Sequence, residues 1–298
     1  MRGDFFMFIS VRIRKAAFWL LLTGLVAAAV CAAAVSAAAE AAARRADAVP
    51  GVRLPVIMYH SILKEKKRQG KYVVSPDTLE NDLSYLQSKG YREIVVQDLL
   101  DYMDGKAELP EKPVMVTFDD GYYNNYVYAY PLAKKYGVKI VISPIGSYTD
   151  KFTSGDADHA NYSYLTWNQI GEMMNSGLVE FQNHTYDLHT SRGRVGAQKL
   201  WNESAEAYAA VLRLDLGRMQ REMLLYTGYK PTAFIYPFGE VSKESLPVLK
   251  EIGFRASMTC EEKWNLITKD PGCLFGMGRF LRPEGLSSNA YFKKIGVT

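Results

Sequence analysis

From residue 54 onward the chain alternates between two hydrophobic rhythms. Short continuous apolar runs rich in β-branched residues are followed by longer stretches in which apolar positions recur every three or four residues. The first pattern reads as buried strand and the second as helix with one face on a core. Strands are predicted at LPVIMYH (54–60), YREIVV (91–96), PVMVTF (113–118), VKIVIS (138–143), LVEFQNH (178–184), TAFIY (232–236) and FRASMT (254–259). Helices are predicted over SPDTLENDLSYLQSKG (75–90), VQDLLDYM (96–103), Asn125–Tyr136, Thr166–Ser176, a long stretch near 196–226, and Lys243–Ile252. Ser75 stands as a cap before a first-turn proline, and Gly90, Gly137 and Gly253 close helices, which agrees with helix punctuation. Strand followed by helix, repeated along the chain, predicts an α/β fold on a parallel sheet, closed as a barrel or doubly wound.

In either form the reacting groups gather at the carboxyl ends of the strands. His60 ends the first predicted strand, Asp119 and Asp120 end the third, and His184 ends the fifth; Tyr236–Gly239 follow the sixth. These are residue types suited to metal and acid–base chemistry.

Spacing sharpens the point. His184 and His189 sit five residues apart, which turns them away from each other on a helix and sets them on opposite faces of a strand. If His184 caps a strand and the chain then turns, His189 returns from a loop. Two histidines and one aspartate form a donor set with open positions, suited to a catalytic divalent ion such as zinc. In TFDDGY (117–122) two adjacent carboxylates follow a buried strand, and neighbours on extended backbone point apart, so the two can do different work. Taken alone, Asp-Asp also reads as a helix cap, and each histidine as a hydrogen-bonded structural residue. The combination favours the metal.

Composition bounds the remaining choices. Apolar residues make up 48% of 298, ample for a sizeable core. The net charge of +4 lies entirely in residues 1–53, which hold seven basic and three acidic residues; the rest is neutral. No nucleic-acid footprint is present. Arg12, Arg14 and Lys15 precede an uncharged run from Ala16 to Ala39 that includes AVSAAA. That pattern predicts a signal peptide or an uncleaved membrane anchor over 1–39, with the domain exported. Residues 40–53 read as a linker and 54–298 as one catalytic domain. Cys260 and Cys273 are compatible with either a disulfide or two free thiols.

TFDDG, HTYDLH and FIYPFG together resemble the polysaccharide deacetylase family, the NodB-homology carbohydrate esterases, and LPVIMYHSI matches a common opening of that family. The resemblance covers most of residues 54–259 and implies an irregular (β/α)7 barrel. It further implies Asp119 as catalytic base, Asp120, His184 and His189 as ligands of a divalent metal, usually zinc, and the Phe238 backbone N–H, with Tyr236 beside it, at the oxyanion and substrate. The implied partner is an N-acetylated polysaccharide.

Three departures stand out. The five-residue histidine spacing, where most members have four, resembles the branch acting on poly-β-1,6-N-acetylglucosamine. Ile235 stands where the family has an arginine that orients the base, leaving Arg279 or Arg282 of GRFLRPEG to replace it. No histidine follows His189, so His60 is the candidate general acid. Asp187 is a candidate to orient His189, or a surface turn residue; His159, in the polar SGDADHANY, reads as exposed. Two alternatives remain: a silent carbohydrate-binding module on the same scaffold, and a deacetylase of peptidoglycan or chitin-type chains.

Overall fold

The computed structural model describes residue 30 and residues 51–155 and 158–298. The predicted leader and all but the last three residues of the predicted linker lie outside these, residue 30 apart. Residues Gly51–Thr298 form one compact unit. Among the described residues, no helix is long and apolar enough to cross a membrane.

The strands are β1 (Val52–Leu54), β2 (Val56–Tyr59), β3 (Ser61–Ile62), β4 (Val73–Val74), β5 (Arg92–Glu93) and β6 (Pro113–Asp120), then β7 (Ile140–Pro144), β8 (Val179–Phe181), β9 (Ala233–Ile235), β10 (Ala256–Met258), β11 (Asn265–Ile267) and β12 (Phe280–Leu281). The helices are α1 (Pro76–Ser88), α2 (Val96–Met103), α3 (Tyr130–Tyr136), α4 (Gly146–Thr153), α5 (Trp167–Asn175), α6 (Ala205–Thr227), α7 (Ser245–Ile252) and α8 (Ser288–Lys294).

Seven parallel strands make a ring. The order β12-β2-β6-β7-β8 is continuous, and β9 pairs with β10. Single parallel bridges, Asn183 to Phe234 and Met258 to Met277, join the two parts and close the barrel. The result is an irregular (β/α)7 barrel. β6 is buried along all eight residues because strands flank it and helices cover the sheet. On α1, Leu79, Leu83 and Leu86 form the apolar stripe that seals this side, and each such side chain contributes roughly 1.5–3 kcal/mol on burial. Ser75 caps α1 by accepting the Thr78 N–H at 3.0 Å.

Several sequence expectations shift. YREIVV is not a barrel strand: only Arg92–Glu93 pair, at the base of β6, because Val95 and Val96 are taken into the start of α2. The ring is instead completed by β12, two residues between arginines and too short to show a period. The stretch expected to be helical from about 196 begins its helix only at Ala205, after the Ser204 cap; the residues before it, with Gly193 and Gly196 at positive φ, form a loop. The predicted helix over Asn125–Tyr136 opens with a π-helical turn at Asn125–Ala129. Helix α4, polar in sequence (GSYTDKFT), has little apolar periodicity to reveal it.

Candidate active site

The carboxyl ends of β2, β6, β8 and β9 converge on a cavity of about 560 Å³, lined among others by His60, Asp119, Asp120, His184, His189 and Phe238. Asp119 keeps the strand geometry of β6, so its side chain shares the inward face with Thr117. Asp120 has φ of 70°, and this left-handed turn brings its carboxylate into the same cavity. The turn continues at Gly121, where a Cβ would lie 2.6 Å from Pro144 Cβ, so no larger residue fits. Asp120, Thr185 and Phe238 are the non-glycine residues with positive φ among those described; Asp120 ends β6, and the other two lie in the segments after β8 and β9. Such conformations cluster where shape matters more than local comfort.

Asp120, His184 and His189 offer ligand atoms that all lie within 4.8 Å of one another. Asp120 Oδ1 is 3.5 Å from His184 Nε2 and 3.3 Å from His189 Nε2. His184 Nδ1 sits 2.8 Å from the Ile235 carbonyl, a contact that requires the proton on Nδ1 and turns Nε2 toward Asp120. Asp120 Oδ1 is buried and accepts no hydrogen bond. A buried, unpartnered carboxylate oxygen facing two imidazole nitrogens matches the borderline oxygen-and-nitrogen donor set of a divalent ion. Burial pushes the Asp120 carboxyl up, yet the His184 contact and the neighbouring rings outweigh it and hold the group below the usual range.

Beside this cluster stands a second carboxylate with a different partner. Arg279, fully buried, clamps Asp119 through two parallel bonds, Nη1 to Oδ1 at 2.7 Å and Nη2 to Oδ2 at 2.8 Å. Its Nε donates to the Thr259 carbonyl at 2.9 Å, which fixes the plane of the guanidinium. Burial would raise the Asp119 carboxyl, but Arg279 above all, with His184 and His60, holds it far below the usual range. The ionised form is therefore favoured in the folded protein. Ile235 carries no charge, and a guanidinium from the segment just before β12 meets Asp119 instead. Arg282, the other candidate, pairs instead with Asp82 (Nε to Oδ2 at 2.7 Å).

His60 Nε2 lies 4.0 Å from Asp119 Oδ2, and Asn125 anchors the turn by donating to the His60 carbonyl at 2.9 Å. Burial lowers the His60 pKa despite the opposing pull of Asp119 and Asp120. Phe238 packs on the His189 ring with centroids 4.5 Å apart.

Tyr236 does not reach the cavity. Its ring is buried against Phe234 and its hydroxyl bonds Ser245 Oγ at 2.5 Å, so it is a packing residue, not a substrate contact. Asp187 is exposed and uses its backbone N–H on Asp215, while His159 is exposed and stacks on Tyr162. Trp167 is buried with its indole N–H on Asp150. Cys260 and Cys273 are both free thiols. No local pattern marks Asp215, whose contacts join distant segments.

The polysaccharide deacetylase family model matches residues 106–257. The poly-β-1,6-N-acetyl-D-glucosamine N-deacetylase of Escherichia coli strain K12 is 26% identical over 224 residues, covering 69% of this chain and 33% of that protein. The enzyme of the same name from Staphylococcus aureus strain N315 is 28% identical over 207 residues, covering 70% of this chain and 67% of that one. The chain thus spans about a third of the length of the E. coli relatives. Among solved structures, a de-N-acetylase from Aggregatibacter actinomycetemcomitans superposes with a TM-score of 0.69 at 29% identity, covering 82% of this chain and 99% of that one. IcaB from Ammonifex degensii gives 0.67 at 28% identity, covering 83% and 97%. With more than half of its length matched by the family model and the barrel shared, this chain belongs to the polysaccharide deacetylase family.

Proposed function

We propose that this protein is an exported, metal-dependent deacetylase that hydrolyses N-acetyl groups of an N-acetylglucosamine polymer, with β-1,6-linked chains as the preferred substrate. The observation that carries the reading is the pairing, in one cavity, of an Asp-His-His cluster with an adjacent carboxylate clamped by a buried arginine. The names of the relatives favour the β-1,6 linkage, and the charged and apolar pattern of residues 1–39 favours export, with membrane attachment if that segment is not cleaved.

Asp120, His184 and His189 would hold the ion, and their oxygen and nitrogen donors suit zinc. When bound, the ion supplies Lewis-acid polarisation of the amide and acidifies a water molecule. Asp119 accepts the proton of the attacking water. Its depressed pKa makes it a weak base, and Arg279 offsets the weakness by holding the carboxylate in one orientation. The Phe238 backbone N–H, on a residue held at φ of 59°, faces the developing oxyanion. His60 is neutral at rest; the proton passes from Asp119 to His60 Nε2, 4.0 Å away, and the resulting imidazolium gives it to the leaving nitrogen and returns to neutral. Acetate and a free amine result.

The silent binding module is disfavoured by Arg279: a domain that only bound sugar has no need of a bidentate clamp on a carboxylate beside the histidines. Acetate release from β-1,6 and β-1,4 N-acetylglucosamine oligomers and from peptidoglycan tests the proposal. Release from the β-1,6 series is expected to be fastest, and no release from any of the three would refute it.

A further inference from the structure

The two histidines reach one point only because the chain between them takes a defined turn, and that turn is held from outside. Thr185 is at φ of 75°, and its N–H donates to Asn183 Oδ1 at 2.9 Å. The Thr185 and Tyr186 carbonyls accept the N–H groups of Gly146 and Ser147 at 3.1 and 2.7 Å, tying the turn to the start of α4. The remaining donors go to α6. Asp215 accepts the Tyr186 N–H on Oδ1 and the Asp187 N–H on Oδ2, both at 2.8 Å. Asn183 Nδ2 donates to the neighbouring Leu216 carbonyl at 3.2 Å. Arg218, one turn further along α6, lies over the Tyr186 ring at 3.6 Å.

We propose that Asp215 is a positioning residue for the metal centre. One carboxylate bridging two successive backbone N–H groups fixes the direction in which the chain leaves Tyr186, and so brings His189 back to His184 across the five-residue spacing. Both bonds are charge-assisted, and Asp215 is not itself among the ligands, so it acts on the centre through the backbone of the turn. This rests on the functional reading above. Asp215→Asn is a severe test because the new NH2 turns a donor toward a donor.

The experiment measures divalent-metal affinity of the purified full chain by competition between zinc and a chromophoric chelator, with cobalt absorption as a second signature. Asp215→Asn is expected to weaken zinc about 10–100-fold, as loss of a residue that orients a ligand commonly does, and to change the cobalt spectrum. Met223→Ala, which opens a buried cavity eight residues beyond Asp215 on the same helix, provides the control. It is expected to lower the melting temperature and leave zinc affinity within twofold. If Asp215→Asn also binds within twofold, or if Met223→Ala weakens zinc as much, Asp215 is only structural and the inference fails. Should Asp215→Asn not fold, Asp215→Ser, which keeps one acceptor, is expected to give an intermediate loss; full affinity there overturns the proposal. A wild-type chain that holds no divalent ion refutes the functional reading itself, whereas tight wild-type binding with unaltered variants refutes only the role of Asp215.

Discussion

Two arginines three residues apart, Arg279 and Arg282, each bind a buried aspartate, and they do opposite things. They flank the two-residue strand β12, and an odd separation on extended backbone sends them to opposite faces. Arg279 runs into the barrel and meets Asp119, which lines the cavity. Arg282 turns outward and meets Asp82 on α1, where Tyr59 also donates to Asp82 Oδ2 at 2.7 Å and Leu286 O accepts from Nη2 at 2.8 Å. Asp82 is wholly enclosed, with its oxygens occupied. The chemistry of the two pairs is the same. What differs is whether the carboxylate keeps one side open to a ligand.

The widest separation between the pairs is expected from Asp119→Asn. Acetate release should fall by about 10²–10⁴-fold, the usual worth of a positioned base, while metal content by elemental analysis stays unchanged. Asp82→Asn is expected to do the reverse. Leaving Arg282 buried without its partner should cost about 3–5 kcal/mol in denaturant unfolding, with kcat of the folded protein close to wild type. Substitution of the whole scaffold group (Asp82→Leu with Arg282→Met and Tyr59→Phe) sharpens the contrast, since a buried ion pair is often replaceable by apolar packing. Stability near or above wild type with activity retained is expected there, and none is expected from Asp119→Leu with Arg279→Met. The smallest effect is in pH. Arg279 holds the Asp119 carboxyl down, so Asp119 stabilises the fold above the ordinary carboxylate range and loses that contribution only as pH falls toward its depressed value. Arg279→Leu removes the cause, and the acid limb of the kcat profile should move to higher pH; an unmoved limb would deny the electrostatic coupling.

Which arginine served which aspartate was not legible in GRFLRPEG. The alternation rule separates them only once residues 280–281 are known to be a strand, and two residues leave no periodic trace. The longer elements were legible because burial of one face writes a repeat into the chain: β6, α1 and α5 lie within a residue or two of expectation. The candidate donors were legible for a related reason, as polar residues closing apolar runs stand out in TFDDG and LVEFQNH. Tyr236 misled because it too closes such a run, and only the packing of α7, through Ser245, decides that it faces the core. Asp215 was invisible, since nothing local distinguishes an aspartate in α6 that caps a turn about 30 residues upstream.

The left-handed backbone at Asp120, Thr185 and Phe238 sets a limit on how this domain can be improved. Glycine at Thr185 would relax the peptide, by roughly 1–2 kcal/mol at a position of this kind, and so raise thermal tolerance. The same change would free the hinge between the two imidazoles and blur their separation. Stabilising screens and activity screens should therefore select against each other at these three positions, while agreeing across most of the barrel.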